Sequence, residues 1–600
     1  RGVAAAWALA VASVPPCGPP GAAAAMDISQ MSEEEQLKAA MELSMQDHGG
    51  GAFGGAGHAP QQPKPAAAPA PALPDRGRPR AFPGKDAQDP PPLCPRPLPG
   101  NKKPRAGEPR TAGQALGTEA RLSDAELSEL LRLVFTGVGA REDERPSPQD
   151  TERWLNVGFQ FSLFAGTEWG LWQRHGGPCG VFAPVQAYIV KTLLFGEAAD
   201  AEGAASAQRK GQPLACAAGE EDLRGAVLAH ALACILYQAT TASSYIVCQV
   251  EMTGASGEGA DAEAAARSAS ASAIATGTGG IKVSGRRVPR VLDAQQLFEE
   301  AFDSWLAGPC GVLSFVCSVL LSRTLATVRE DMDDPSMPLL GRFGHCSQEL
   351  VNLMLVGEAT SNVFDGTRFL GDDPSSGLLL KGVIGDRVGV PPIGFLSGFE
   401  AESTRKLEVG TLYKYPDFPV WVLGSATHYT IIFSARRADS QLSQEAQVEQ
   451  RAKQVFNENA FDEGGLALAT SLPAMLQALK ISEDRAEQAK RDLVREEVIL
   501  WQDFLAWARR QFGCADGPAA GQAALTKVRL FMYDGQDPPG PSLRSIGLEV
   551  SDIDPRLAGG SAEGDDLVAT LHTRWPNAVV QVAPLAGAGA EGAGGGPTSL

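Results

Sequence analysis

The segment Trp172-Gln-Arg-His-Gly-Gly-Pro-Cys-Gly-Val-Phe-Ala-Pro-Val-Gln-Ala-Tyr188 puts a thiol immediately after a turn. Gly176-Gly177-Pro178 cannot be helical, whereas Val181, Val185, Tyr188 and Ile189 repeat at helical spacing, so Cys179 opens a helix. Unpaired backbone N–H groups and the positive end of the helix dipole favour a thiolate there, the form that attacks carbon. Pro184 falls in the first turns of that helix, where its missing N–H costs little. A nucleophilic thiol needs a base, and the chain has seven histidines. His48 and His58 lie in or beside a Pro/Gly-rich stretch, and His230 sits in the apolar run Val227 to Tyr237, a core position. His175, His345 and His572 have no strand or helix context to fix a ring. His428 opens Tyr429-Thr-Ile-Ile-Phe433, a strand preceded by Phe418-Pro-Val-Trp-Val-Leu423 across the turn Gly424-Ser-Ala426. The pair Cys179 and His428 fits nucleophilic catalysis. It also fits ordinary structure, because histidines at strand ends are common.

The elements that position this pair lie in the C-terminal four-fifths of the chain. Every tryptophan except Trp7 falls between Trp154 and Trp575, and every tyrosine between Tyr188 and Tyr533. Residues 49–120, rich in Pro, Gly and Ala, have only Phe53 and Phe82 as aromatics and cannot bury enough apolar surface to offset chain entropy, so they are expected to be a disordered linker. Ser123 and Glu126 have capping-box spacing before Leu127, Leu130, Leu131 and Val134, which marks the start of the globular part. A net charge of -19 and a pI near 5.0 argue against a nucleic-acid partner. The apolar run Val312 to Leu321 is about half the roughly 20 residues that cross a bilayer, so no membrane partner is expected. Ten cysteines without a recurring tight spacing fit neither a disulfide scaffold nor a zinc site. The expected compartment is reducing, cytoplasmic or nuclear.

Upstream of the linker, Ser32-Glu-Glu-Glu-Gln-Leu-Lys-Ala-Ala-Met-Glu-Leu-Ser-Met-Gln-Asp47 carries a capping box and an acidic first turn. Leu37, Ala40, Met41 and Ser44 share one narrow face, with nothing in the neighbouring chain to pack against. This pattern resembles a ubiquitin-interacting motif, whose alanine lies flat on ubiquitin's apolar patch. The plainer alternative is a solvated, marginal helix. Residues 1–25 are expected to be upstream translation or a disordered extension, because Met26 precedes the helix at 29–48, with a targeting peptide as the alternative.

A cysteine at a helix start followed far downstream by a histidine on a strand is the order of papain-like proteases. Gln173, Gly176-Gly177-Pro178-Cys179 and Ala183-Pro184-Val185-Gln186-Ala187 resemble the nucleophile segment of the MINDY family of cysteine deubiquitinases. Gln348-Glu349-Leu350, Ser361-Asn362-Val363-Phe364-Asp365, Gly394-Phe395-Leu396-Ser397 and Trp421-Val-Leu-Gly-Ser-Ala-Thr-His428 are similar to that family in the same order, over roughly residues 122 to 585. Arg574-Trp575-Pro576 and a helical segment after His428 are nearest to its branch with an EF-hand-like module. The resemblance implies an α/β (α+β) papain-like fold, with Cys179 as nucleophile, His428 as general base and acid, and Gln173 as oxyanion donor. It also implies an isopeptidase acting on ubiquitin and polyubiquitin chains, of the proteasome-targeting linkage, with no cofactor. A ubiquitin-binding adaptor on a dead protease fold is the alternative.

The implied boundaries are a catalytic domain at 122–435, an EF-hand-like helical module at 440–515, a β-rich part at 525–585 and a disordered tail at 586–600. Thr253 to Val288, dominated by Gly, Ala and Ser, is expected to be a flexible insertion. Asp462-Glu463-Gly464-Gly465 lacks the alternating oxygen ligands that calcium needs, so no metal is expected. Gly308-Pro309-Cys310-Gly311-Val312 repeats the nucleophile motif, but Ser304 replaces the glutamine and an apolar helix follows. Cys310 and Cys317 are therefore expected to be core packing.

Overall fold

The computed structural model describes residues 116–174, 176–196, 221–253, 260–370, 378–401, 407–425, 428–441, 444–459, 466–482, 485–495, 497–514, 526–536, 541–550, 566–575 and 578–584. The expectations for residues 1–25, for the helix with Leu37, Ala40, Met41 and Ser44, for the linker up to residue 115, for His175, for the Asp462–Gly465 loop and for the tail lie outside the described residues; the last residues assigned to the linker, Thr118 to Ala120, instead belong to a strand paired with Arg287 to Gly285.

Nine helices named here precede or flank the site: α1 (Asp124–Leu131), α2 (Pro148–Leu155), α3 (Cys179–Phe195), α4 (Glu221–Ala239), α5 (Ala260–Ala275), α6 (Val291–Ala301), α7 (Gly311–Arg323), α8 (Leu325–Asp331) and α9 (Gln348–Val356). The Ser123–Glu126 capping box is formed, with the Glu126 N–H donating to Ser123 Oγ and the Ser123 N–H to Glu126 Oε2. Ser147 and Asp150 cap α2 in the same way.

A small antiparallel sheet, in the order β1-β3-β2, contains β1 (Thr118–Arg121), β2 (Tyr245–Met252) and β3 (Ile281–Val288). For residues 260–288 it overturns the expectation of a flexible insertion at 253–288. Residues 260–275 form α5 against α2, with Ala266, Ser270, Ala271 and Ile274 buried, and β3 turns Ile281, Val283 and Val288 inward. Alanine is the best helix former, and its small side chain lets helices pack closely, so an Ala-rich stretch needs few large residues to be ordered. The outer edge of β2 is closed by α7. Ser314, Ser318 and Ser322 accept the N–H groups of Val250, Cys248 and Ile246 at 2.8–2.9 Å. Four residues of helix rise about 6 Å and two of strand about 6.6 Å, so an i+4 serine row matches an i+2 strand row.

After the hairpin β4 (Thr367–Leu370) and β5 (Leu378–Lys381), the main sheet begins with β6 (Gly394–Ser397), β7 (Val420–Gly424) and β8 (Tyr429–Phe433). The chain then leaves for a module with its own core, containing Phe456, Met475, Phe504 and Trp507. It comprises α10 (Gln444–Asn459), α11 (Leu472–Ala478), α12 (Ala486–Leu493), α13 (Trp501–Gln511) and the short strands β9 (Leu466–Leu468), β10 (Val494–Arg495) and β11 (Val498–Leu500).

The chain returns as β12 (Thr526–Asp534), β13 (Ser542–Val550), α14 (Asp566–His572) and β14 (Ala578–Pro584), and the sheet runs β14-β13-β12-β8-β7-β6. The part at 525–585 is thus not separate from the catalytic domain: Phe531, Met532 and Tyr533 pair with Phe433, Ile432 and Ile431. Without β12, β8 would be an open edge of buried apolar residues. Alternation along β7 sends Val420 and Val422 to the main core and Trp421 and Leu423 to a second one. Trp575 covers that second face against Trp421, with ring centroids 5.5 Å apart. Arg574 lies over Tyr415 and donates to the Lys414 carbonyl, so Arg574-Trp575 fastens the far end of the sheet. On the main-core face, α3 is buried around nearly its whole circumference and packs on α4, α9, β7 and β8.

Among the described residues no single helix is long and apolar enough to cross a membrane.

Candidate active site

Cys179 is the first residue of α3 and is 4% exposed. The turn before it uses Gly177 at φ +124°, a conformation that side-chain-bearing residues rarely adopt, and the Gly177 carbonyl receives the Cys179 thiol at 3.9 Å. Pro184 is the sixth residue of the helix, deeper than its expected place in the first turns. There it leaves the Gly180 carbonyl without its intrahelical donor.

The β7–β8 turn brings His428 to this helix start. Ser425 fixes the turn, its N–H and hydroxyl both donating to the His428 carbonyl and its Oγ accepting the His428 N–H. The imidazole interacts with the Cys179 thiol on one side. On the other, Nε2 lies 2.9 Å from Asp534 Oδ1, at the end of β12. Burial works to lower the pKa of His428, but hydrogen bonds to Asp534 and Cys179, reinforced by their charges, outweigh it and hold the imidazolium to about 10. Burial raises the Asp534 carboxyl, yet its bond to His428, the histidine's charge and the Gln536 N–H bring it below its ordinary value. A thiol, an imidazole and a carboxylate therefore interact in one site, with the ring oriented by the carboxylate.

Gln173 approaches from the other side. Its N–H donates to the Gly535 carbonyl at 2.9 Å, and its Nε2 donates to Gln536 Oε1 at 3.4 Å. The preceding residues are pinned as well: the Leu171 N–H donates to Gln186 Oε1 of α3, and Tyr533 donates its hydroxyl to the Leu171 carbonyl. Gln173, Gln186, His428, Tyr533 and Gly535 line a cavity of about 20 Å³, room for a single water. Gln186 Nε2, buried and without a protein partner, is a donor for it.

The structure thus brings Cys179, His428 and Gln173 into one site and adds Asp534 and Gln536, which the sequence reading did not single out. Asp534-Gly535 looks like turn chemistry, and only the need of β8 for a neighbour on its open edge pointed to β12. Among the described residues, no cluster of three or more His, Cys, Asp or Glu could hold a metal ion. His230 is in the core, bonded to Gln295 and Cys234. His345 is buried too, and burial draws its pKa down to about 4. Cys310, 2% exposed, directs its sulfur to the Leu155 carbonyl at 3.5 Å, and burial pushes its thiol up to about 12.

Residues 145–461 match the conserved domain of deubiquitinating enzymes MINDY-3/4. The human ubiquitin carboxyl-terminal hydrolase MINDY-3 is 33% identical over 467 residues, covering 75% of this chain and 95% of the relative. The chain belongs to the MINDY-3/4 family of deubiquitinating enzymes. The bovine MINDY-3 is 32% identical over 469 residues. The mouse probable ubiquitin carboxyl-terminal hydrolase MINDY-4 is 32% identical over 291 residues, and there the chain spans only 34% of the relative. No solved structure matches the chain. Gln173, Cys179 and His428 fall inside the matched MINDY-3/4 domain, whereas Asp534 lies beyond its last residue. The other motif segments brace the site: the Asn352 amide bonds the Thr360 and Asn362 carbonyls, and Asp365 accepts the Thr411 and Leu412 N–H groups.

Proposed function

We propose that this MINDY-3/4 member is a thiol isopeptidase of polyubiquitin chains, with Cys179 as nucleophile, His428 as base and acid, and Asp534 as the group that orients His428. The observation that carries this reading is that His428 bonds the Asp534 carboxylate and interacts with the Cys179 thiol. The Cys179 thiolate attacks the carbonyl joining the ubiquitin C-terminus to a lysine side chain. The Cys179 N–H and Gln173 Nε2 receive the oxyanion, and His428 gives its proton to the departing lysine amine. A water deprotonated by His428 then hydrolyses the thioester and restores the thiol.

The resemblance favours chains of the proteasome-targeting linkage. The acidic segment with Leu37, Ala40, Met41 and Ser44 is proposed to hold another ubiquitin of the same chain, since about 75 residues of chain with coil-like statistics would span roughly 45–50 Å.

The test is covalent labelling by a ubiquitin probe with a C-terminal thiol trap, followed by peptide mapping. Modification of Cys179 is expected. Absence of labelling, the behaviour of an inactive adaptor, or modification of Cys310 overturns the assignment.

A further inference from the structure

A second thiol stands at the start of α3. Cys346 ends the loop that runs against the Cys179 turn, just before Ser347 caps α9. Its sulfur lies 3.9 Å from the Gly177 carbonyl oxygen, the same atom that receives the Cys179 thiol at 3.9 Å. The two sulfurs are therefore no farther apart than twice that distance. Gly180 measures how closely the loop approaches: a Cβ there would stand 2.6 Å from Cys346 Cβ and 3.0 Å from its sulfur. The other buried cysteines among the described residues have different neighbours: Cys248 and Cys310 both act on Cys317, Cys234 meets His230, and Cys514 lies in the core of the helical module.

We propose that Cys346 is a resolving thiol, which forms a reversible disulfide with Cys179 when hydrogen peroxide oxidises the site. In the first step the Cys179 thiolate attacks a peroxide oxygen and the O–O bond breaks. Cys179 becomes a sulfenic acid, oxidised by two electrons, and the departing hydroxide takes the His428 proton to leave as water. In the second step the Cys346 sulfur attacks the Cys179 sulfur, the S–OH bond breaks, and the hydroxide leaves as water with the Cys346 proton. One peroxide and two thiols give one disulfide and two waters.

The surroundings of Cys346 suit this order of events. In the reduced protein, burial and the adjacent Cys179 keep its thiol protonated, so it does not compete as a nucleophile. A neutral sulfenic acid at Cys179 removes that negative neighbour, while the nearby Gly180 and Val181 N–H groups favour the Cys346 thiolate. The gap closes by side-chain rotation in segments that carry Gly177 and Gly180 on one side and Gly344, at φ +72°, on the other.

The inference rests on the same reactive Cys179 as the proposed function but not on ubiquitin as substrate. The full chain is treated with hydrogen peroxide, mapped by mass spectrometry without reduction, and assayed for chain cleavage before and after dithiothreitol. Wild type is expected to lose cleavage, to yield a peptide linking Cys179 to Cys346, and to recover fully on reduction. Cys346→Ala is expected to lose cleavage as quickly, to carry Cys179 as sulfinic or sulfonic acid, and to recover none. Cys179 over-oxidised in wild type with Cys346 still free, or full recovery by Cys346→Ala, overturns the proposal. Because wild-type mapping needs neither a variant nor activity, it decides the disulfide even if Cys346→Ala misfolds or if the reduced protein cleaves no ubiquitin chain.

Discussion

Gly177-Pro178-Cys179-Gly180 and Gly308-Pro309-Cys310-Gly311 begin two long buried helices, α3 and α7, and the paths diverge at the sulfur. Cys179 has helical geometry and follows a Pro178 cap at φ -81°, so its side chain stands at the open end of α3, against the hairpin that carries His428. Cys310 is itself the cap, in the left-handed region at φ 61°, and both its N–H and its thiol turn to the Leu155 carbonyl at the end of α2. Both thiols are nearly inaccessible, so burial does not separate them. What separates them is the facing element: a histidine with its carboxylate in one case, a helix carbonyl in an apolar core in the other. The same residues at a helix start can serve as a nucleophile only where another part of the fold delivers a base.

The largest effect should come from swapping which thiol is lost. Cys179→Ala is expected to lower ubiquitin-chain cleavage by at least about 10⁴-fold, the scale for removing a nucleophile. Cys310→Ala should keep the rate within about twofold and cost on the order of 1 kcal/mol of stability for a lost buried sulfur. Cleavage rates and melting curves of the two variants test this, and a folded but inactive Cys310→Ala would reverse the comparison.

Next comes the histidine side of the site. Asp534→Asn is expected to reduce kcat by about 10²–10⁴-fold, as when the orienting carboxylate of a triad is neutralised. The imidazolium persists at pH values below its pKa of about 10 and is lost above it, so the alkaline limb of the pH–rate profile belongs there. Removing the carboxylate charge and bond that raise that pKa must move the limb to lower pH. An unmoved limb would mean that Asp534 does not act through His428.

The glutamine pair should contribute less. Gln173→Ala is expected to cost about 100- to 1000-fold in kcat if its amide receives the oxyanion, and Gln536→Ala, which only steadies that amide, about tenfold. Equal losses in single-turnover assays would assign Gln536 to the chemistry itself.

The smallest effect concerns the N-terminal segment. Ser44→Ala should slow cleavage of long chains several-fold while sparing diubiquitin, because tethering raises effective concentration only for substrates that reach both sites. The ratio of the two rates, compared with wild type, is the measurement, and an unchanged ratio removes the tether.

Cys179 and His428 were legible in the sequence because each sits where local rules apply, a Gly-Gly-Pro turn and a β-branched strand, whereas Gln173 entered only through the family resemblance. Asp534 was not, since it ends an ordinary strand just before Gly535, and nothing local says that β12 pairs with β8. Strand pairing across an inserted module is a long-range fact. The Ala/Ser-rich stretch misled for another reason. Its order comes from close packing of small side chains on α2 and from pairing of β3 with β1 and β2, neither of which requires a visible apolar stripe.

The helical module between β8 and β12 also sets a clock. His428 and Asp534 are 106 residues apart in the chain, and a ribosome adding roughly 5–20 residues per second needs about 5–20 s to cover that interval. Until then the growing chain carries its thiol and its imidazole but not the carboxylate that fixes the ring, and β8 waits without its neighbour. Messages cut short anywhere in the interval yield products with the recognisable nucleophile segment and an unfinished relay.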